Sequence, residues 1–388
     1  MKKSKTQKNH PLKKNPDDDN NNKAMENRCA EDLEITSEDK KKIKELSENP
    51  EIFNSIINSI VPSVHGYDDI KEAIALQLFG GVSREVGDGV IVPGGINILI
   101  VGDPGIGKTH LLKGALNLIL NGVYIDSNKS YVNGIYQHLS DFFDIQNLDE
   151  SIFNQENYLV CIDALKVKSD EVMFLKEALG KNTSFNTEAE LLNILNSKCS
   201  VLAATNPKFG RFDRYKSITE QINIPFNLLS CFDLIFVVED KNKIEEDSKM
   251  AYHMLKLHQG NKINSCIDPK LIKKYILFAR EEIKPKLTDE AIGMIQEFYI
   301  RIRQSLDDEL PIPITVRQLE SLIKLSEAHA KIRLSEQVTI SDVKRVIGLY
   351  GRSLKQVGFD LDQKIFFELN LPYPKNLTNS QRDLNFFR

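Results

Sequence analysis

The chain has 388 residues, of which 41% are apolar and 27% charged, with a formal net charge of −4. That length supplies a large core divided over two to three domains, and the slightly acidic balance excludes a global electrostatic attraction to nucleic acid. The longest apolar runs, near Ile96 to Val101 and Leu234 to Val238, fall far short of a membrane span, and the lysine-rich start has no apolar leader, so a cytoplasmic location without membrane contact is expected.

Residues 2 to 14 hold six lysines and no acid, and Asp17-Asp18-Asp19 and Asn20-Asn21-Asn22 follow directly. Such polar, low-complexity composition buries too little surface to fold, so a solvated tail is expected over residues 1 to 35, with a nonspecific DNA-binding arm as the alternative. Thr36 and Asp39 make a capping-box-like start for a helix to about Leu46, ended by Asn49-Pro50. Amphipathic spacing predicts further helices over Ile52 to Ile60 and Asp68 to Phe79, followed by a glycine-rich link; together these form a helical entry segment over 36–95.

From Ile96 onward, apolar strands alternate with helices: 96 to 101, about 121 to 125, 158 to 163, 199 to 204 and 233 to 238. Alternation of this kind predicts an α/β fold with a parallel sheet flanked by helices, placed over 96–265. Beyond Asp268 the pattern is helical, near 268 to 282, 288 to 306, 315 to 334 and 339 to 356, which predicts a C-terminal helical lid domain over 266–360 and a short tail over 361–388. The five cysteines, Cys29, Cys161, Cys199, Cys231 and Cys266, are widely separated, which points away from both a zinc site and a disulfide framework.

Between the first strand and a helical stretch from Leu111 to Leu120 lies Gly102-Asp103-Pro104-Gly105-Ile106-Gly107-Lys108-Thr109, followed by His110. Strand, glycine-rich loop and helix in that order form a phosphate-binding loop, predicted to bind ATP with Mg²⁺. Its glycines let backbone N–H groups converge on a phosphate at a helix N-terminus, Lys108 reaches the β and γ oxygens, and the Thr109 hydroxyl ligates Mg²⁺.

Several other segments carry a family resemblance. Ile60-Val61-Pro62-Ser63-Val64-His65-Gly66-Tyr67-Asp68-Asp69-Ile70-Lys71, the run Asn206-Pro207-Lys208-Phe209-Gly210-Arg211-Phe212-Asp213, and Ile314-Thr315-Val316-Arg317-Gln318-Leu319-Glu320 together resemble the ATPase domain and lid of MCM helicases. The resemblance covers about residues 35 to 360 and implies an AAA+ P-loop NTPase related to the replicative DNA helicase, working in a ring with MCM-type subunits. It also implies that the N-terminal oligonucleotide-binding and zinc region of full-length MCM proteins and their C-terminal winged helix are not expected in this chain.

Carried over by position, Asp163 resembles the aspartate of the Mg²⁺ shell, Asn206 the sensor that positions the attacking water, and Arg317 the second sensor, which reaches a neighbouring subunit's γ-phosphate. The segment Val64 to Ile70, with Tyr67, resembles the part that cradles the adenine. Three departures stand against these matches. Ala164 occupies the place of the family's water-activating glutamate, and loss of such a base costs ~10²- to 10⁴-fold in rate. Cys231 replaces the arginine finger, worth ~10³- to 10⁵-fold. Glu188 and Glu190 stand where the family presents a channel lysine, so DNA contact there is expected to weaken. Asp170 and Glu171 are the nearest carboxylates in sequence that could replace the glutamate. The expectation is an ATP-binding accessory subunit impaired in hydrolysis; the alternative is an active helicase subunit in a mixed ring.

Overall fold

The computed structural model describes residues 35–86, 90–127, 158–165, 199–213, 215–259, 266–305 and 314–359. The lysine-rich start, Asp170, Glu171, Glu188, Glu190 and the chain from residue 360 onward lie outside the described residues. Three helices come first: α1 (Ser37–Ser47), α2 (Ile52–Ser59) and α3 (Asp68–Phe79). Thr36 starts α1 by the expected reciprocal cap, its hydroxyl accepting the Asp39 N–H at 3.1 Å while Asp39 Oδ2 accepts the Thr36 N–H at 3.1 Å.

The stretch read as a glycine-rich link contains an antiparallel hairpin, β1 (Arg84–Val86) and β2 (Val90–Val92). Its glycines misled because the turn residues of a hairpin and the residues of an irregular link have the same composition.

The α/β part follows as β3 (Ile98–Gly102), α4 (Lys108–Leu116), β4 (Gly122–Asp126), β5 (Tyr158–Asp163), β6 (Cys199–Thr205), the short α5 (Ile218–Gln221) and α6 (Phe226–Leu229), and β7 (Leu234–Val238). Five strands form one sheet in the order β4-β5-β6-β3-β7, and every neighbouring pair is parallel, as the alternating pattern predicts. Helix α4 is shorter than its apolar spacing implied. Leu118 and Ile119 are buried beyond its end, so they pack a turn rather than extend the helical stripe.

Strand alternation divides the core between the two faces of the sheet. Ile98, Ile100, Leu202, Ala204, Leu234 and Phe236 face one core, shared with α3 and the C-terminal helices. Leu99, Val101, Val160, Ile162, Val201 and Ile235 face the other, closed by Leu228, Leu229 and Phe232. Gln77 on α3 is fully buried and donates from Nε2 to Ile96 O at 2.8 Å and Val201 O at 2.9 Å, which fixes that helix across two strands.

The remaining elements are α7 (Ile244–His258), α8 (Pro269–Glu282), β8 (Lys286–Leu287), α9 (Asp289–Ser305), α10 (Val316–Ile332), β9 (Gln337–Val338) and α11 (Ile340–Gln356). Helix α7 was not predicted. Lys243 gives it no side-chain cap, and its apolar residues, Ile244 apart, are confined to 250–257 after a largely polar first half; none of them is buried, and acidic Glu245, Glu246 and Asp247 in its first turn and Lys256 and His258 in its last suit the helix dipole. No described helix is long and apolar enough to cross a membrane.

Polar side chains bolt the helical part to the sheet. Edge strand β7 has its free N–H groups covered by α11: Ile235 N–H donates to Ser353 Oγ at 3.0 Å and Val237 N–H to Gln356 Oε1 at 3.0 Å. Asp233, just before β7, accepts the Asn97 N–H at 2.7 Å, the Ser321 hydroxyl at 2.5 Å and the Lys324 ammonium at 3.2 Å. Within the helical part, the fully buried Asp342 accepts from His329 Nδ1 at 2.6 Å, from Arg333 at 2.9 and 2.7 Å, and from the Thr339 N–H at 2.7 Å.

Burial alone would raise the Asp342 carboxyl, but His329, Arg333 and the Thr339 N–H overcome it and hold the group well below the ordinary carboxylate range. A depressed pKa of this kind stabilises the fold above the unfolded carboxylate value of about 3.9, and the contribution is lost as the pH falls below it. Asp342→Ala is expected to destabilise the protein by about 3 kcal/mol at neutral pH, with the difference from wild type shrinking below about pH 4, as read from urea melts at stepped pH.

Candidate functional site

All five strands run in one direction, so their C-terminal ends share one edge of the sheet. The loop from Gly102 to Gly107 leaves β3 at that edge, and Lys108 and Thr109 begin α4. Gly105 and Gly107 have φ of +87° and +89°, the left-handed region that glycine tolerates best. Gly102 is needed for a different reason: a Cβ there would lie 2.3 Å from Ile106 Cδ1. Lys108 is buried and donates to the Gly102 and Asp103 carbonyls, each at 2.7 Å, which leaves one of its three N–H groups for an anion in the loop. Burial pushes the Lys108 ammonium below its ordinary pKa, with Asp163 and Asp103 opposing the shift.

β5 brings Asp163 to the same edge. Asp163 Oδ2 accepts the Thr109 hydroxyl at 2.5 Å and the Tyr124 hydroxyl at 2.7 Å. A carboxylate and a hydroxyl held together at a helix N-terminus form an all-oxygen donor set suited to Mg²⁺, and the residues therefore fit the metal and the nucleotide that the loop implies. Burial, then the Asp163 bond, pushes the Tyr124 phenol well above its ordinary pKa, so it stays a donor to that carboxylate. Thr205 is the ladder partner of Val101, so the exposed Asn206, one residue beyond the end of β6, lies beside the start of the loop.

Ala164 directly follows Asp163 and has a φ of +52°, a left-handed backbone unusual for alanine. Its N–H turns back to Asp163 Oδ1 at 2.8 Å, and the Leu165 N–H resumes pairing with Ala204 O at 2.7 Å. A methyl group therefore follows Asp163, and it can neither accept a proton nor orient water. Asp126 is the ladder partner of Asp163, and paired residues of parallel strands point to the same face.

Asp103 serves as a brace. Its carboxylate accepts the Phe212 N–H at 3.0 Å and the Asp240 N–H at 2.8 Å, tying the phosphate loop to the segments that follow β6 and β7. Its buried side chain is thus committed within the protein, while Pro104, Gly105 and His110 are exposed. The entry segment approaches from the other side: a Cβ on Gly107 would lie 3.9 Å from the Val64 methyl groups, and Lys71 Nζ donates to Val64 O at 2.6 Å. Tyr67, with φ of +58°, caps the start of α3, and burial followed by the nearby Asp240 raises its phenol pKa.

Cys231 and Arg317 lie together at the opposite edge. Cys231 precedes β7, the nearby Asp233 bonds to Asn97 before β3 begins, and Arg317 Nη1 donates to Cys231 Sγ at 3.1 Å. The five residues of β3 separate that edge from the phosphate loop, roughly 16 Å at about 3.3 Å per residue. The predicted site residues thus fall into two groups, Gly102 to Thr109 with Asp163 and Asn206 at one edge, Cys231 with Arg317 at the other. Sequence reading missed Tyr124 and Asp126, which carry no motif; only the β4–β5 register places them beside Asp163.

The MCM P-loop domain model matches residues 39–258, and the MCM AAA-lid domain model matches residues 270–354. The chain is 34% identical over 345 residues to the minichromosome maintenance protein MCM of Saccharolobus solfataricus, covering 86% of this chain and 49% of that protein. It is 32% identical over 335 residues to the DNA replication licensing factor MCM5 of Arabidopsis thaliana, covering 82% and 46%. An uncharacterized MCM-type protein of Methanocaldococcus jannaschii is 34% identical over 354 residues, with 82% and 46% covered. The chain spans about half the length of these curated relatives.

Tyr124→Phe, which removes one donor from Asp163 and little volume, is expected to weaken the Mg²⁺-dependent part of ATP binding about tenfold. Titration calorimetry with and without Mg²⁺ checks this: affinity for metal-free ATP should not change, whereas Lys108→Ala should abolish both.

Proposed function

Because the chain belongs to the MCM family of AAA+ P-loop ATPases, we propose that it binds ATP·Mg²⁺ through Gly102 to Thr109 and Asp163, hydrolyses it weakly or not at all, and acts as an accessory or regulatory subunit among MCM-type subunits. The observation that carries this reading is the pairing of a formed phosphate loop and metal aspartate with the Ala164 methyl group. Lys108 orients the phosphates, Asp163 and Thr109 hold the cation, and Asn206 stands where attacking water would be positioned. Bound Mg²⁺ supplies charge neutralisation on the phosphate oxygens.

Separation of the two residue groups supports assembly. Arg317 lies too far from its own chain's phosphate loop to serve it, so its use requires a neighbouring subunit's nucleotide. Cys231 offers that neighbour no positive charge and instead holds the Arg317 guanidinium.

A second reading, an active helicase subunit in a mixed ring, is favoured by Asp126. Its place on the ladder leaves one further carboxylate a strand away from Asp163, where it could take over part of the missing base's work.

ATPase rates of wild type, Ala164→Glu, Cys231→Arg and the double variant test both readings. Wild type alone is expected near background, and the double variant is expected to recover at least tenfold when subunits assemble. Robust wild-type turnover abolished by Asp126→Asn would favour the second reading; failure to bind ATP would end both.

A further inference from the structure

The geometry points to His253, on α7, as a specificity-determining residue that reads the 6-amino group of the nucleobase and so selects adenine over 6-oxopurines; this rests on the reading of Gly102 to Thr109 as a nucleotide site. The segment from Val61 to Tyr67 lies along that loop. The Val64 methyl groups are 3.9 Å from where a Cβ on Gly107 would lie, and the Val61 side chain fills space that a Cβ on Gly114 of α4 would take. At the other end, Tyr67 lies near Asp240, whose N–H is held by Asp103 of the loop at 2.8 Å. Between these ends His65 is exposed, and Gly66, with φ of +74°, has open space where a side chain would stand. A nucleoside carried on phosphates in the loop therefore has this segment as its wall.

At Val64 the backbone is already committed. Its N–H donates to Val61 O at 2.9 Å and its carbonyl accepts from Lys71 Nζ at 2.6 Å, so neither group remains to read a base edge. His253 is half-buried, and its Nε2 lies 3.0 Å from Pro62 O. A carbonyl oxygen only accepts, so Nε2 carries the proton, and in the neutral ring Nδ1 is then an acceptor. Among the described residues His253 makes no other hydrogen bond. The His65 ring stands 5.3 Å from the His253 ring, centroid to centroid, and is tilted by 41° to it, so two imidazoles flank one stretch of the segment. Tethering α7 to Pro62 uses Nε2 alone and leaves Nδ1 to a ligand.

The preference follows from the fixed tautomer. Adenine offers an N–H donor at its 6-position, which an acceptor nitrogen satisfies. Guanine and hypoxanthine carry a carbonyl oxygen there, which would face the Nδ1 lone pair and leave both acceptors unpaired. The exposed His65 ring offers a face on which any base stacks, so it adds affinity without choosing between bases.

The test displaces a ribose-labelled fluorescent ATP from the full chain, in Mg²⁺, with ATP, purine riboside triphosphate, which lacks the 6-substituent, and inosine triphosphate, which carries the oxygen. Wild type is expected to bind ATP about tenfold or more tightly than inosine triphosphate, with purine riboside triphosphate between them. His253→Phe, which keeps a ring against His65, should weaken ATP about tenfold and leave inosine triphosphate unchanged, so that the preference vanishes. His253→Gln, whose amide can donate to Pro62 O and accept from the base, should restore most of it. His65→Ala should weaken all three nucleotides alike. Inorganic triphosphate, which has no base, should bind every variant like wild type, and this separates lost base reading from a damaged fold. Failure of wild type to bind any of these ligands would overturn the nucleotide-site reading itself. Equal wild-type affinity for ATP and inosine triphosphate would overturn this inference alone, as would an undiminished preference in His253→Phe, and the wild-type comparison decides even if that variant does not fold.

Discussion

The shared direction of five strands is the constraint on which the rest of this molecule depends. Parallel strands gather all their C-terminal ends at one edge, and that edge receives the phosphate loop from β3, Asp163 from β5 and Asn206 from β6. The same constraint sends the starts of the strands to the other edge. Cys231 and Arg317 therefore belong to a different surface from Lys108, although the sequence places all three at positions that the family resemblance links to the nucleotide.

Holding the two edges in register requires polar groups as well as apolar packing. Gln77 joins α3 to the sheet, Asp233 joins β3 to α10, and Ser353 with Gln356 covers the open edge of β7. Each occupies a place where a backbone group or charge would otherwise lose water without a replacement partner. The helical part is in consequence joined to the sheet by directional bonds, and the orientation of Arg317 on α10 follows from them.

At the nucleotide edge, preserved and altered groups sit side by side. Thr109 and Asp163 are in contact and Tyr124 steadies the carboxylate, while Ala164 keeps a left-handed backbone without a functional side chain. Glutamate would meet the same left-handed backbone demand as alanine there, so the residue type at 164 decides only whether a carboxylate follows Asp163. At the opposite edge, the half-buried Arg317 bonds to the thiol of Cys231, and a single guanidinium stands where the family resemblance implies two.

The amino-acid sequence by itself determined the five strands, their parallel class, the phosphate loop and the identities at positions 163, 164, 206, 231 and 317, because these depend on local periodicity and on residue types with few substitutes. Helix α1 was legible for the same reason, through Thr36 and Asp39. Helix α7 was not, since it has no side-chain cap and a largely polar first half, and the β1–β2 hairpin was hidden by glycines that read equally well as a link. Only the tertiary structure decided that Tyr124 and Asp126 neighbour Asp163, that Asp103 braces the loop, and that Arg317 meets Cys231. Each of those contacts joins residues distant in the chain through strand order and register, and a linear pattern carries no information on which strand lies beside which.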